Sequence, residues 1–260
     1  MAFLQVQFFS KALNVASTVN VILPEPSMGI GVETRGAAEL PKVLYLLHGY
    51  SDDHSIWMRR TSVERYAASH NLAVIMPAVN HSFYTNEAVG ERYWDYVSEE
   101  LPEAMHRFFR LSDKPEDTFV AGLSMGGYGS MKLALTHPER FAAAASFSGC
   151  VDIVDMNHRS KDSITNMERI FGDLNRLEGS EHDLLALLRK NADAPCKPRL
   201  YVSCGTADFL FHMQSRFINT AAENGWSVTH YEKPGAVHEW GFWDEQIKWF
   251  IPWMLGEKEL

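Results

Sequence analysis

Residues 118–127 read TFVAGLSMGG. A β-branched and apolar run, the habit of a strand covered on both faces, leads directly into G-x-S-x-G, and 128–135 (YGSMKLAL) continue in helix-compatible letters. The five-letter pattern says little alone. Between a buried strand and a helix it describes a nucleophile elbow, a tight strained turn from which the Ser124 hydroxyl protrudes. Bulky neighbours would clash at such a turn. Gly122 and Gly126 remove side chains two positions on either side of the serine, and Gly127 lets the helix start close to the sheet. The competing reading of the same letters is a glycine-rich turn with a helix-capping serine.

Moving outward, residues 43–47 (VLYLL), 72–76 (LAVIM), 141–147 (FAAAASF) and 200–202 (LYV) repeat the continuous apolar style, whereas 4–9 (LQVQFF) and 18–23 (TVNVIL) alternate apolar with polar. Helical patterns separate the apolar runs. Thr61-x-x-Glu64 has the form of a capping box for a helix towards His70, Leu101, Met105 and Phe108 share a face, and a helix after Ser124 should stop near His137 because Pro138 follows. Trp243, Ile247, Phe250 and Met254 form an apolar stripe at helical spacing that reads as core. Strand and helix alternating over residues 1–260 predict a single doubly wound α/β domain with a mostly parallel central sheet, antiparallel N-terminal strands and helices on both faces, and the elbow motif makes its expected type the α/β-hydrolase fold. Two connections are long, 77–96 and 149–198. The second reads as a small helical insertion over about 150–198, with Ser180-x-x-Asp183 as a cap and Leu184, Leu187 and Leu188 on one face. It is either a cap over a pocket or peripheral packing.

A serine hydroxyl is a poor nucleophile at neutral pH, so a base must take its proton and an acid must orient that base. In this fold the order is Ser, then Asp or Glu, then His, on loops after successive strands. Residues 200–208 (LYVSCGTAD) end a strand in a small-residue turn at Asp208. Residues 228–231 form another strand, and 234–238 (PGAVH) place His238 beyond it. Asp152, after the preceding strand, is the rival carboxylate, and His238 also reads as a helix-capping residue. Of the other histidines, His212 and His230 lie in an expected helix and strand, His137 ends a helix, and His48 precedes the serine. An oxyanion needs preorganised backbone donors. Met125 N–H comes with the elbow, and His48-Gly49-Tyr50 after the strand 43–47 supplies Tyr50 N–H if Gly49 takes an unusual backbone path.

Composition narrows the partner class. A chain of 260 residues with net charge -9 and scattered Lys and Arg argues against nucleic acid or an anionic membrane surface and towards a small-molecule substrate. No apolar run is long enough to span a membrane, and residues 1–10 lack a basic-then-apolar leader pattern, so a cytoplasmic location is expected, with room for a homo-oligomer. Cys150, Cys196 and Cys204 are odd in number and without metal-type spacing, which fits mostly buried thiols. Asp52, Asp53 and His54 read as helix-capping groups rather than metal ligands.

Taken together, YLLHGYSDDHSIW (45–57), VIMPAVNHSFYTN (74–86), YWDYVSEELP (93–102), GLSMGGYGSMKLAL (122–135) and HEWGFWDEQI (238–247) resemble the esterase D family, in particular its bacterial tributyrin esterase branch. The likeness runs from the N-terminal strands to the last helix. It implies a serine carboxylesterase for short-chain acyl esters, with Ser124, Asp208 and His238 matching the triad, Tyr50 and Met125 the oxyanion donors, and no metal or organic cofactor. Phe83, Tyr84 and Trp240 are candidate walls of a small acyl pocket. Related S-formylglutathione hydrolases share the framework but carry cysteine where this chain has Asp52. Feruloyl and acetylxylan esterases share the GLSMGG-like elbow. A non-catalytic binding protein on the same fold is the reading from a different class.

Overall fold

The computed structural model of the chain describes residues 1–25, 28–29, 32–33, 39–159 and 167–258. Its main sheet has eight strands: β1 (Ala2–Ser10), β2 (Val15–Leu23), β3 (Lys42–Leu47), β4 (Leu72–Pro77), β5 (Thr118–Leu123), β6 (Ala143–Phe147), β7 (Arg199–Gly205) and β8 (Val228–Lys233). They lie in the order β1-β2-β4-β3-β5-β6-β7-β8. The β1–β2 and β2–β4 pairs are antiparallel and all other neighbours are parallel, as the patterning predicts. A two-residue ladder, Met28–Gly29 with Val32–Glu33, stands apart. The helices are α1 (Ile56–Arg60), α2 (Val63–Ala67), α3 (Tyr93–Asp95), α4 (Leu101–Phe108), α5 (Met125–Thr136), α6 (Ile153–Arg159), α7 (Met167–Phe171), α8 (Leu184–Lys190), α9 (Phe211–Glu223) and α10 (Trp240–Met254). A π-helical turn, Tyr96–Glu100, joins α3 to α4.

The continuous apolar strands follow from burial on both faces. In β3, Val43, Tyr45 and Leu47 join a core containing residues of α4, α5, α8 and α9, while Leu44 and Leu46 join the opposite core with α1, α2 and α10. Helix α5 is buried from Met125 to Leu135, so it needs no polar face. All four residues of the terminal stripe, Trp243, Ile247, Phe250 and Met254, are core.

Several local expectations give way to tertiary contacts. Thr61 does not open a capping box: it sits in extended backbone at the end of α1, its hydroxyl donating to Trp57 O and accepting from Val63 N–H. The α2 N-terminus is served by α10, where Asp244 accepts from Ser62 N–H at 2.9 Å, and α2 stops at Ala67. Phe108 is 44% exposed, because its ring packs edge-on against Phe8 of the N-terminal hairpin instead of entering the core. The cap of α8 is Asp183, which accepts from Leu185 and Ala186 N–H, while the Ser180 hydroxyl closes the preceding turn on Leu177 O. Leu184, Leu187 and Leu188 are buried, and α8 packs on α5 and α9, so this part of the insertion belongs to the main core. Residues 160–166 of the insertion lie outside the described residues. All three cysteines are free; Cys150 and Cys204 are buried, but Cys196 is exposed.

The long connections are joined through a buried lysine. Lys132 Nζ, on α5, donates to Thr85 Oγ1 at 2.7 Å, lies 3.3 Å from His182 Nδ1, and sits 4.6 Å from the centre of the Trp94 ring. Burial lowers the Lys132 ammonium to about 7 and His182 to about 3. The unfolded chain therefore binds more protons at this lysine between about pH 7 and the usual lysine range, and stability rises with pH across that window. In thermal melts, the wild-type Tm should gain on that of Lys132→Met as pH goes from about 7 to about 9.5. A difference that does not move with pH would contradict the buried, proton-shedding lysine.

Candidate active site

Parallel register brings the site together. Leu47 pairs with Gly122, Leu123 with Phe147, Phe147 with Ser203, and Gly205 with Lys233. The carboxyl ends of β3, β5, β6, β7 and β8 thus lie abreast, and the segments leaving them carry Tyr50, Ser124, Ser148, Asp208 and His238 onto one edge of the sheet, where open α/β sheets bind ligands.

Ser124 has φ 52° and ψ −116°, a left-handed conformation that a serine adopts only when its surroundings impose it. Its N–H donates to Phe147 O at 3.0 Å, and its carbonyl accepts from Tyr128 and Cys150 N–H, so the turn is pinned on both sides. The backbones meet here without room for a side chain: a Cβ on Gly122 would lie 2.3 Å from Gly126 O, and one on Gly126 would lie 2.5 Å from Leu47 O. A Cβ on Gly127 would lie 2.7 Å from Gly149 Cα. Met125 is the first residue of α5, and neither its N–H nor that of Tyr50 has a backbone acceptor among the described residues.

His238 Nδ1 lies 2.8 Å from Asp208 Oδ2, with the Asp208 carboxylate fully shielded from solvent. Phe209 and Trp243 flank the imidazole at 4.6 and 4.8 Å. Burial acts to raise the Asp208 pKa, but the hydrogen bond and charge of His238, the Leu210 N–H and the Ser148 hydroxyl outweigh it and hold the carboxyl below its ordinary value. The rival Asp152 is engaged elsewhere, with Arg216 at 2.9 Å and the Asp155 N–H. Ser124 Oγ has no hydrogen-bond partner among the described residues. An alcohol on a strained turn, an imidazole oriented by an ionised carboxylate and two free N–H groups form a set able to carry out acyl transfer.

Residues 10–253 match the Esterase family, described as "Putative esterase". The chain belongs to that family. An acetyl esterase of Caldicellulosiruptor saccharolyticus is 32% identical over 98% of both chains. Among solved structures, the fluorophosphonate-binding serine hydrolase F of Staphylococcus aureus superposes with TM-score 0.87 at 37% identity, covering 98% of each chain. A structure titled S-formylglutathione hydrolase from the same organism gives TM-score 0.84, also at 37% identity and 98% coverage of each chain. The chain is a carboxylic ester hydrolase of the α/β-hydrolase fold.

Other residues shape this esterase in ways the letters did not reveal. Gly49 has no left-handed backbone, contrary to expectation; it is needed for close approach, since a Cβ there would lie 2.6 Å from Leu123 Cδ1 and 3.7 Å from Ser124 Cβ. His48 braces the Tyr50 loop: its Nε2 accepts from Val79 N–H at 3.0 Å and its Nδ1 lies 2.7 Å from Gly49 O. Burial lowers its pKa to about 4, keeping the ring neutral for that pair of bonds. Tyr84 is fully buried and donates to His48 O at 2.9 Å, so it supports this loop from behind. Phe83 packs against Tyr50, Tyr128 and Phe171 at 5.9, 5.8 and 5.6 Å, and Trp240 stacks edge-on with Trp57 and Trp243. Asp53 accepts from Ser55 N–H and Oγ, but the N-cap of α1 is Ser55, which makes no side-chain capping bond, so Asp53 braces the turn before the helix and does not cap it. Asp52 instead turns its Oδ2 towards Gly49, and burial raises its pKa, opposed by the Gly49 N–H and the charge of His238.

Gly205 stands where the turn leading to Asp208 meets the turn leading to His238. A Cβ there would lie 2.1 Å from Ala236 O, a backbone atom two residues before His238. Gly205→Ala should push that turn away from Asp208 and lower kcat by on the order of 10²-fold with little change in KM. Steady-state kinetics on p-nitrophenyl acetate, with circular dichroism to verify folding, test this. Undiminished kcat in a folded variant would contradict it.

Proposed function

We propose that this chain is a serine carboxylesterase for short-chain acyl esters, working through an acyl-enzyme on Ser124. The observation that carries the reading is the His238–Asp208 hydrogen bond at 2.8 Å, built at the same sheet edge as the strained Ser124 turn. Ser124 Oγ attacks the ester carbonyl carbon while His238 Nε2 takes the hydroxyl proton. Asp208 stabilises the imidazolium, and the N–H groups of Tyr50 and Met125 receive the oxyanion. The tetrahedral adduct collapses, His238 returns the proton to the departing alcohol, and water enters by the same route to release the acid.

The acyl preference follows from bulk. Phe83, Tyr50, Phe171 and Tyr128 fill the space beside the Tyr50 loop with mutually packed rings, which favours acetyl to butyryl groups. The esterase D and tributyrin-type sequence resemblance points the same way, as does the acetyl esterase relative.

The relative titled S-formylglutathione hydrolase supports a second reading, thioester hydrolysis. Against it stands Asp52, a carboxylate close to Gly49 and within electrostatic reach of His238, which repels a glutathione moiety carrying more carboxylates than amines.

A p-nitrophenyl acyl series from acetate to octanoate, run beside S-formylglutathione, separates these readings. The expected result is highest kcat/KM at acetyl to butyryl esters, and a loss on the order of 10⁴-fold or more in Ser124→Ala. Equal inertness of wild type and Ser124→Ala would sink the enzyme assignment. Thioester turnover far above every oxygen ester would move it to the second reading.

A further inference from the structure

The leaving-group side of the site is built differently from the Tyr50 side. His238 returns its proton to the departing alcohol, so on the esterase reading the alcohol lies against the solvent-facing flank of the imidazole. Two exposed apolar side chains adjoin that flank. Phe209, directly after Asp208, is 68% exposed with its ring centre 4.6 Å from that of His238, and Val237, directly before His238, is 45% exposed. Phe83 and Tyr84, by contrast, are at most 2% exposed. An aromatic ring left open to solvent beside the base offers a face on which a ligand can rest.

The charge beside this surface belongs to Asp52. Its Oδ2 and Ser124 Cβ border the same point, since a Cβ on Gly49 would lie 3.0 Å from the first and 3.7 Å from the second. Asp52 and Phe209 also meet at His238, one acting on it by charge and the other by ring contact. The half-buried Asp52 carboxylate forms no ion pair among the described residues. Asp53 repels it, and Arg60 at the end of α1 attracts it without closing a salt bridge. A partly desolvated carboxylate without a close countercharge is costly, and a ligand cation set beside it removes that cost.

We propose that the alcohol side of this site recognises a cation: the preferred substrates are short-chain esters whose alcohol carries a quaternary or protonated amine, with Asp52 as its countercharge and the Phe209 ring as its platform. The inference rests on the esterase reading and adds the leaving-group class to it. The hydrolytic step is the one already given, with the amino alcohol leaving on the proton from His238. A net charge of -9 draws cations to the whole chain, so only a change at Asp52 isolates the local effect.

Acetylcholine and 3,3-dimethylbutyl acetate share the acyl group and nearly the same alcohol shape, but only the first is charged. Their kcat/KM values, each divided by the rate constant for hydroxide hydrolysis, should favour acetylcholine by about tenfold or more. Asp52→Asn should cut that ratio to about twofold, and Phe209→Leu, which keeps apolar bulk without a ring, should lower it about threefold. A wild-type ratio near one, or a ratio that survives either substitution, overturns the proposal. Should Asp52→Asn misfold, inhibition of wild-type p-nitrophenyl acetate hydrolysis by the free alcohols decides. Choline should bind about fivefold or more tightly than 3,3-dimethylbutan-1-ol, and equal or reversed inhibition refutes the cation site. Turnover of p-nitrophenyl acetate that is lost in Ser124→Ala, with no preference for the charged ester, sinks this inference and leaves the esterase reading standing. Inertness of both chains towards p-nitrophenyl acetate sinks both.

Discussion

The parallel register at the carboxyl edge is the constraint on which the rest of the molecule depends. Gly205 pairs with Lys233, and the turn beyond passes so close to Gly205 that a Cβ there would meet Ala236 O, while Ala207 N–H bonds to that same oxygen. On this turn His238 stands 2.8 Å from Asp208. One strand pair away, Leu123 aligned with Phe147 lets Ser124 N–H bond to Phe147 O and fixes the elbow against the same edge. The candidate site is a by-product of backbone ladder hydrogen bonds and not of the chemistry of the paired side chains.

Such an edge stores strain, and the two cores on either face hold it. Ser124, Ser148, Phe83 and Tyr84 all have φ between 47° and 52°, each costing on the order of 1–3 kcal/mol. All but Ser124 are at most 2% exposed, and Ser124 itself is anchored by three backbone hydrogen bonds. Polar braces complete the support. Neutral His48 bridges the Tyr50 loop to Val79, Tyr84 bonds to that loop's carbonyl, and Lys132 reaches from α5 to Thr85 and near His182. Lys132 thus ties the long 77–96 connection to the 149–198 insertion through Thr85 and His182.

Much of this was legible in the letters. The buried strands announced themselves because a strand covered on both faces must be apolar throughout, and the elbow because only glycine tolerates backbones meeting at the Gly122–Gly126 distance. Chain order offered Asp208 and His238 but left Asp152 as a rival carboxylate, and the structure ties Asp152 to Arg216 and Asp208 to His238. Helix ends were read less well. The α2 terminus is capped by Asp244, a residue distant in sequence, and local patterns such as Thr61-x-x-Glu64 carry no record of such a partner. Gly49 and Gly205 were opaque for the same reason, since the atoms they avoid belong to other strands and turns. The neutral state of His48 leaves no pattern in a single sequence, because it arises from burial.

The central claim is that one alcohol is made reactive by an imidazole that a carboxylate orients. Covalent labelling with diethyl p-nitrophenyl phosphate, followed by peptide mass spectrometry, tests it most directly. The account predicts one diethylphosphoryl group per chain, on the peptide bearing Ser124, forming slower by on the order of 10³-fold or more when His238 is replaced by Ala. Labelling on another residue, or at an undiminished rate in the His238→Ala chain, would contradict it.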